Sequence, residues 1–129
     1  MALPTGSGSE ILKSGGFFTM SNSATSLKFD GNPTAGTNTD VVPALSIVTI
    51  LNISYCEQGG AAELLDLWVR KSGASDDVYI LNDGSLPAKA TFVYSDRIVL
   101  MAGDKISTQC DGSTGNVDVF YSYIIQDWT

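Results

Sequence analysis

Apolar and polar residues alternate along much of this chain with the period of two that a half-buried strand requires. Leu27 and Phe29 alternate with Lys28 within Thr25 to Phe29. Ser46 to Tyr55 is the strongest strand, with Ile47, Leu51, Ile53 and Tyr55 on one face and Val48, Ile50 and Cys56 on the other. Both of its faces are therefore expected to be covered for much of its length. The last strand, Val117 to Gln126, puts Val117, Val119, Tyr121, Tyr123 and Ile125 on one face and Phe120 and Ile124 on the other. Glu63 to Arg70 reads as an antiparallel return with Leu65, Leu67 and Val69 inward and Trp68 outward. Helix competes over Ala61 to Trp68, where Ala, Glu and Leu favour it. That stretch is short, lies between Gly59-Gly60 and Lys71-Ser72-Gly73, and runs into Leu67-Trp68-Val69, so strand is preferred.

Turn chemistry separates these segments. Asp30-Gly31-Asn32-Pro33, Glu57-Gln58-Gly59-Gly60, Asn82-Asp83-Gly84 and the loop Asp111 to Asn116 punctuate the chain, and Thr34 to Asp40 reads as an exposed loop. Glu10 to Lys13 and Phe17 to Met20 flank Gly15-Gly16 as a further extended region. Ile98 to Leu100 runs into Ala102-Gly103-Asp104 and restarts as Ile106 to Cys110, a tight β corner. Gly103 supplies the positive φ that such a corner often needs, and the Asp104 carboxylate can accept from the turn's own amides. Turn signals at roughly eight to twelve residue intervals predict a sandwich or barrel. The expected fold is all-β: a single antiparallel, jelly-roll-like β-sandwich of about eight strands over residues 10–129. A Gly/Ser-rich, flexible N-terminal arm, residues 1–9, precedes it.

Composition adds a partner to this picture. The 129 residues suit one domain, and only 16% are charged, below the roughly 25% usual for soluble domains. Some apolar surface is thus expected to face a neighbour. Seven basic against fourteen acidic residues give a net charge of −7, which would repel a phosphate backbone, so no nucleic acid is expected. Neither a secretory signal nor a membrane-spanning apolar run is visible, so no membrane partner is expected. Cys56 and Cys110 are far apart without metal-ligand spacing. They read as reduced, packed thiols, with a disulfide left open.

Candidate chemistry is sparse. No His is present, so neither a Ser-His nor a Cys-His nucleophile can be built, and imidazole metal sites are excluded. Asp76, Asp77, Asp83, Asp96, Asp104 and Asp111 could in principle pair as glycosidase carboxylates, but nearly all stand beside Gly, Asn or Ser in predicted turns. Asp30-Gly31-Asn32 and Asn82-Asp83-Gly84 offer oxygen atoms to calcium without following an EF-hand register. No catalytic, cofactor or metal site is assigned. Trp68 has three open readings: a subunit or partner contact, ordinary packing, and a platform for a sugar ring. Trp128 must tuck back or reach a neighbour. Candidate interface residues are Leu3, Pro4, Ile11, Trp68, Phe120 and Trp128, while Gly103 and Asp104 are assigned to the structural turn.

Four stretches carry a resemblance. They are Ala2 to Leu12, Val42-Pro43-Ala44-Leu45-Ser46 continuing to Ile53, the Leu100 to Ile106 corner, and Asn116-Val117-Asp118-Val119-Phe120-Tyr121-Ser122-Tyr123-Ile124. Together they resemble small jelly-roll virion structural proteins of tailed bacteriophages, especially those of marine bacteria. The resemblance spans nearly the whole chain but lies in turn-and-strand patterns. It implies a non-enzymatic capsid decoration or cement protein, most often a homotrimer, that clamps subunits of the major capsid protein. It also implies a place on the capsid surface after assembly in the host bacterial cytoplasm. A fibre or tail module that binds host glycans is the alternative.

Overall fold

The computed structural model describes residues 9–30, 38–112 and 116–127. They form eleven strands: β1 (Ser9–Met20), β2 (Thr25–Ser26), β3 (Phe29–Asp30), β4 (Asn38–Thr39), β5 (Ser46–Glu57), β6 (Glu63–Arg70), β7 (Val78–Leu86), β8 (Thr91–Tyr94), β9 (Ile98–Leu100), β10 (Lys105–Cys110) and β11 (Val117–Asp127). One sheet has the order β1-β11-β5-β8, with β9 also on β5, and a second has the order β2-β10-β6-β7. A small β3–β4 pair stands apart. Every pairing is antiparallel. β8 and β9 act as one interrupted strand along β5, so the two sheets divide eight strand positions as first-last-third-sixth and second-seventh-fourth-fifth. That division is a jelly roll, an all-β sandwich as the alternation predicts.

Alternation along each strand sends one set of side chains between the sheets. Val48, Ile50, Ile53 and Tyr55 of β5 and Val117, Val119, Tyr121 and Tyr123 of β11 meet Leu65, Leu67, Ile106 and Cys110 of the opposite sheet in one buried core. The Tyr55 hydroxyl crosses the core to Thr108 Oγ1 at 2.9 Å, and Thr108 donates on to the Asp66 carbonyl at 2.7 Å. Burial raises the Tyr55 phenol far above its ordinary range, against the smaller effect of Thr108. Phe29 packs edge-on against Tyr123, with ring centroids 5.2 Å apart.

Three sequence expectations change. Ile47, Leu51, Ile53 and Tyr55 do not share a face: the β5–β11 ladder shifts between Ser122 and Tyr123, passing from Asn52 to Ile50. Leu51 is the extra residue of this β-bulge, so Val48, Ile50, Ile53 and Tyr55 all turn inward. Asn82-Asp83-Gly84 is not a hairpin turn but lies inside β7, where the ladder with β6 shifts twice. Asp83 takes φ +56 there, and its amide donates to Asp66 Oδ1 at 2.9 Å. Thr34 to Asp40 is not loop throughout, because Asn38–Thr39 pairs with Phe29–Asp30, while 31–37 lie outside the described residues. Elsewhere, β1 runs unbroken through Gly15-Gly16, and β6 is a strand rather than a helix.

The Ala102-Gly103 corner is a tight turn closed by the Asp104 amide donating to the Met101 carbonyl at 3.0 Å. Gly103 sits at φ +84, and its amide donates to the Val42 carbonyl at 2.9 Å. A second turn is held by Glu57, which is buried. Its carboxylate accepts from the amides of Gly59, Gly60 and Lys89 at 2.7, 2.9 and 2.8 Å.

Candidate functional site

The outer face of the five-stranded sheet is the candidate site. Strand register lines its residues into rows. Leu12 stands opposite Ile124, Ile124 opposite Thr49, and Thr49 opposite Val99. A second row runs Gly16, Phe120, Ser54, Val93. Between them lie Ser14, Ser122 and Asn52. Leu12, Phe120, Val93 and Val99 are 70%, 54%, 51% and 58% exposed, so each row presents apolar surface to solvent across the sheet. The Leu51 bulge adds a further apolar side chain, and a shallow concavity of about 550 Å³ opens between Leu12, Leu51, Asn52 and Phe120, with Lys13 of the edge strand at its border.

No Lys, Arg, Asp or Glu occupies these rows. The nearest carboxylates in the ladder stand at its two ends. Glu10 accepts from Gln126 Nε2 at 2.7 Å, and Asp118 accepts from the Thr19 amide at 3.2 Å and from the Gln58 side chain. Gly16 belongs to the design of this face, since a Cβ there would come within 3.3 Å of the Phe120 ring. Depletion of charge with a central aromatic is the make-up of an interface core rather than of ordinary surface.

The sequence-predicted residues separate in space. Phe120 is at the centre of this face. Ile11 is opposite Ile125 in the ladder, on the inward side of β1, yet is 42% exposed. Trp68 is half-buried on the outer face of the other sheet, between Ser107 and Tyr79. Its ring lies 5.5 Å from that of Tyr79. Leu3, Pro4 and Trp128 lie outside the described residues, as does the arm up to residue 8. Asp104 is buried within the corner, receiving the Met101 amide at 2.9 Å, the Ser72 amide at 3.0 Å and Lys71 Nζ at 2.5 Å. Leu12, Val93 and Val99 are interface candidates missed by sequence reading. Their alternation was visible, but which strands stand side by side was not.

Among the described residues, the turn carboxylates singled out from the sequence do not gather into a catalytic pair. Glu63 and Asp111 form a carboxyl pair, but this pair closes the β6 start: Asp111 Oδ1 accepts from the Leu64 amide at 2.8 Å. Among the described residues no group of three or more His, Cys, Asp or Glu side chains is placed to hold a metal ion. Nor is any helix long and apolar enough to cross a membrane. Cys56 and Cys110 are both free thiols. Cys110 is packed, whereas Cys56 is exposed rather than packed, because it points outward beside Tyr55.

No protein-family model matches the sequence, and no curated protein does. Among solved structures, the chain is similar to one from infectious bursal disease virus, Gx strain, with a TM-score of 0.49 and 11% identity over 91% of this chain and 32% of that one. A VP2 subviral particle of infectious bursal disease virus gives a TM-score of 0.44 and 10% identity over 91% of this chain and 33% of that one. The chain spans about a third of the length of these viral chains.

Proposed function

We propose that this chain is a non-enzymatic structural protein of a tailed-phage virion, a capsid decoration protein. It assembles as a homotrimer and lays the outer face of its five-stranded sheet against neighbouring subunits. The observation that carries this reading is the pair of apolar rows crossing β1, β11, β5 and β8/β9 without a charge in them. A chain of net charge −7 resists self-association through most of its surface, and a face crossed by two rows free of carboxylates is where copies can approach. The resemblance of Ala2 to Leu12 and of the Leu100 to Ile106 corner to phage virion proteins supplies the setting. Residues 1–9, the proposed arm, lead into the edge strand β1 and are assigned to strand addition on the major capsid protein. Three arms in one trimer would give avidity without a single tight site.

The test is to mix the protein with undecorated mature capsids and measure bound copies against concentration. Saturable binding is expected, with a trimer mass by light scattering, and Phe120→Asp should abolish binding while leaving the fold intact. Absence of saturable binding by the parent protein overturns the proposal.

A further inference from the structure

The outer face of the four-stranded sheet is built on different chemistry from the docking face. Its outward positions on β10 and β6 are Lys105, Ser107, Gln109, Asp66 and Arg70 around Trp68, with the apolar Leu64 only at the far end of β6, and Gln109 Nε2 donates to Asp66 Oδ2 at 3.4 Å. Within this polar surface stands one aromatic pair, Trp68 on β6 and Tyr79 on β7, with ring centroids 5.5 Å apart and planes inclined by 32°. Tyr79 is 51% exposed. Beside Trp68 is a groove of about 240 Å³, bordered by Ser26, Arg70, Asp77, Lys105 and Ser107. Arg70 Nε donates to Asp77 Oδ1 at 2.7 Å, and the Ser26 and Ser107 hydroxyls meet at 3.0 Å.

An aromatic pair meant for a protein neighbour is expected within apolar surroundings, as Phe120 is. Here the ring is set among donors and acceptors, the arrangement that suits a ligand with an apolar face and a polar rim. A pyranose ring is such a ligand: its C–H face stacks on an aromatic, and its hydroxyls seek charged and polar partners at the edge. The volume falls below the roughly 300–1,000 Å³ of pockets for drug-sized molecules, which suits a single ring. The charged groups bordering the groove, Arg70, Lys105 and Asp77, leave an excess of one positive charge on a chain of net charge −7. Arg70 is already paired with Asp77, and Asp40, whose charge Lys105 also feels, is paired with Lys28, so among the described residues Lys105 is the groove cation with no ion pair of its own to meet an anionic ligand.

We propose that this groove binds an acidic saccharide: a pyranose stacks on Trp68, its carboxylate meets Lys105, and its hydroxyls meet the Arg70–Asp77 pair. The site lies on the sheet opposite the docking face, so it does not depend on the capsid reading.

Isothermal titration of the full chain with tetramannuronate, and with mannotetraose as the neutral counterpart, tests it. Saturable binding of the acidic sugar is expected, weakened about tenfold or more in Trp68→Ala through loss of stacking. Lys105→Gln should remove the preference for the acidic sugar and leave neutral binding unchanged, as should raising the salt to about 0.5 M. Tyr79→Ala and Lys105→Gln carry the test if Trp68→Ala does not fold. No saturable binding of either sugar, equal affinity for both, or binding undiminished in Trp68→Ala and Tyr79→Ala would each overturn the proposal. Capsid binding should be unaffected in all three variants.

Discussion

Asp104 Oδ1 accepts the amide of Ser72 at 3.0 Å, tying the β9–β10 corner to the turn after β6. The same carboxylate is buried, pairs with Lys71 and takes the Met101 amide at 2.9 Å. Burial would raise its pKa, but Lys71 and the two amides together hold it below the ordinary carboxylate value. The charge of this side chain therefore matters to folding. Asp104→Ala would leave two amides without their acceptor, at about 1–3 kcal/mol for each group that stays buried. Asp104→Asn should lose about 1–2 kcal/mol, more than a turn-capping role on the surface would suggest. Because the folded pKa is depressed, this stabilisation is present above the unfolded value of about 3.9 and is lost as pH falls through the folded one. Urea unfolding of parent and Asp104→Asn should converge in acid. Equal stability at neutral pH would contradict the assignment.

Gly103 cannot be replaced cheaply. At φ +84, any side chain is strained by about 1–2 kcal/mol, and its Cβ would come within 2.5 Å of Ser72 Oγ. Gly103→Val should lower the melting temperature by several degrees or prevent folding. A monodisperse Gly103→Val protein of parental stability would refute this.

Glu63 and Asp111 predict a second pH dependence with the opposite sign. Burial raises the pKa of Glu63, helped by the hydrogen bond and charge of Asp111. The Leu64 amide, then Glu63, lower that of Asp111. Where the pair holds one proton, Glu63 is therefore the carboxyl that carries it. Stability from a raised group is present below its unfolded pKa of about 4.3 and is lost as pH rises through the folded value. The depressed Asp111 acts in the reverse sense, fading as pH falls. Glu63→Gln keeps a donor for Asp111 and should abolish the loss of stability as pH rises above the unfolded Glu value, leaving the variant about 1 kcal/mol ahead of the parent once Glu63 is ionised. Denaturant midpoints of parent and variant, taken in steps upward from the unfolded Glu value, check it. The idea fails if parent and variant lose stability in parallel over that range.

Thiol labelling should test the proposed docking face directly. Cys56 points outward opposite Asp118 and Thr91, whereas Cys110 is buried and its pKa is raised chiefly by that burial. One maleimide should attach to each chain of the native protein, and a second only after unfolding. Capsid-bound protein should be protected at Cys56. Labelling at equal rates in free and bound protein would place the contact elsewhere.

Phe120→Ala should separate stability from association. The side chain is 54% exposed, so thermal unfolding should shift within about 0.5 kcal/mol. The trimer or the capsid contact should weaken at least tenfold, as truncation of a central aromatic anchor does. Unchanged mass and capsid binding would remove this face from the interface.

Period-two alternation, with turn signals recurring between the apolar runs, determined that this protein is an antiparallel all-β fold, and which residues of β6 and β11 turn inward. Local chemistry also marked the Gly103 corner, because a positive φ and a capping carboxylate are properties of a few adjacent residues. Three things waited for the tertiary structure. The Leu51 bulge inverted part of β5, since a bulge is fixed by pairing with β11 and leaves no local signal. Two apolar rows became one surface only when register set Leu12, Ile124 and Val99 in line. Trp68 gained its groove because Ser26, Asp77 and Lys105, distant in sequence, are brought around it by β2, the β6–β7 connection and β10.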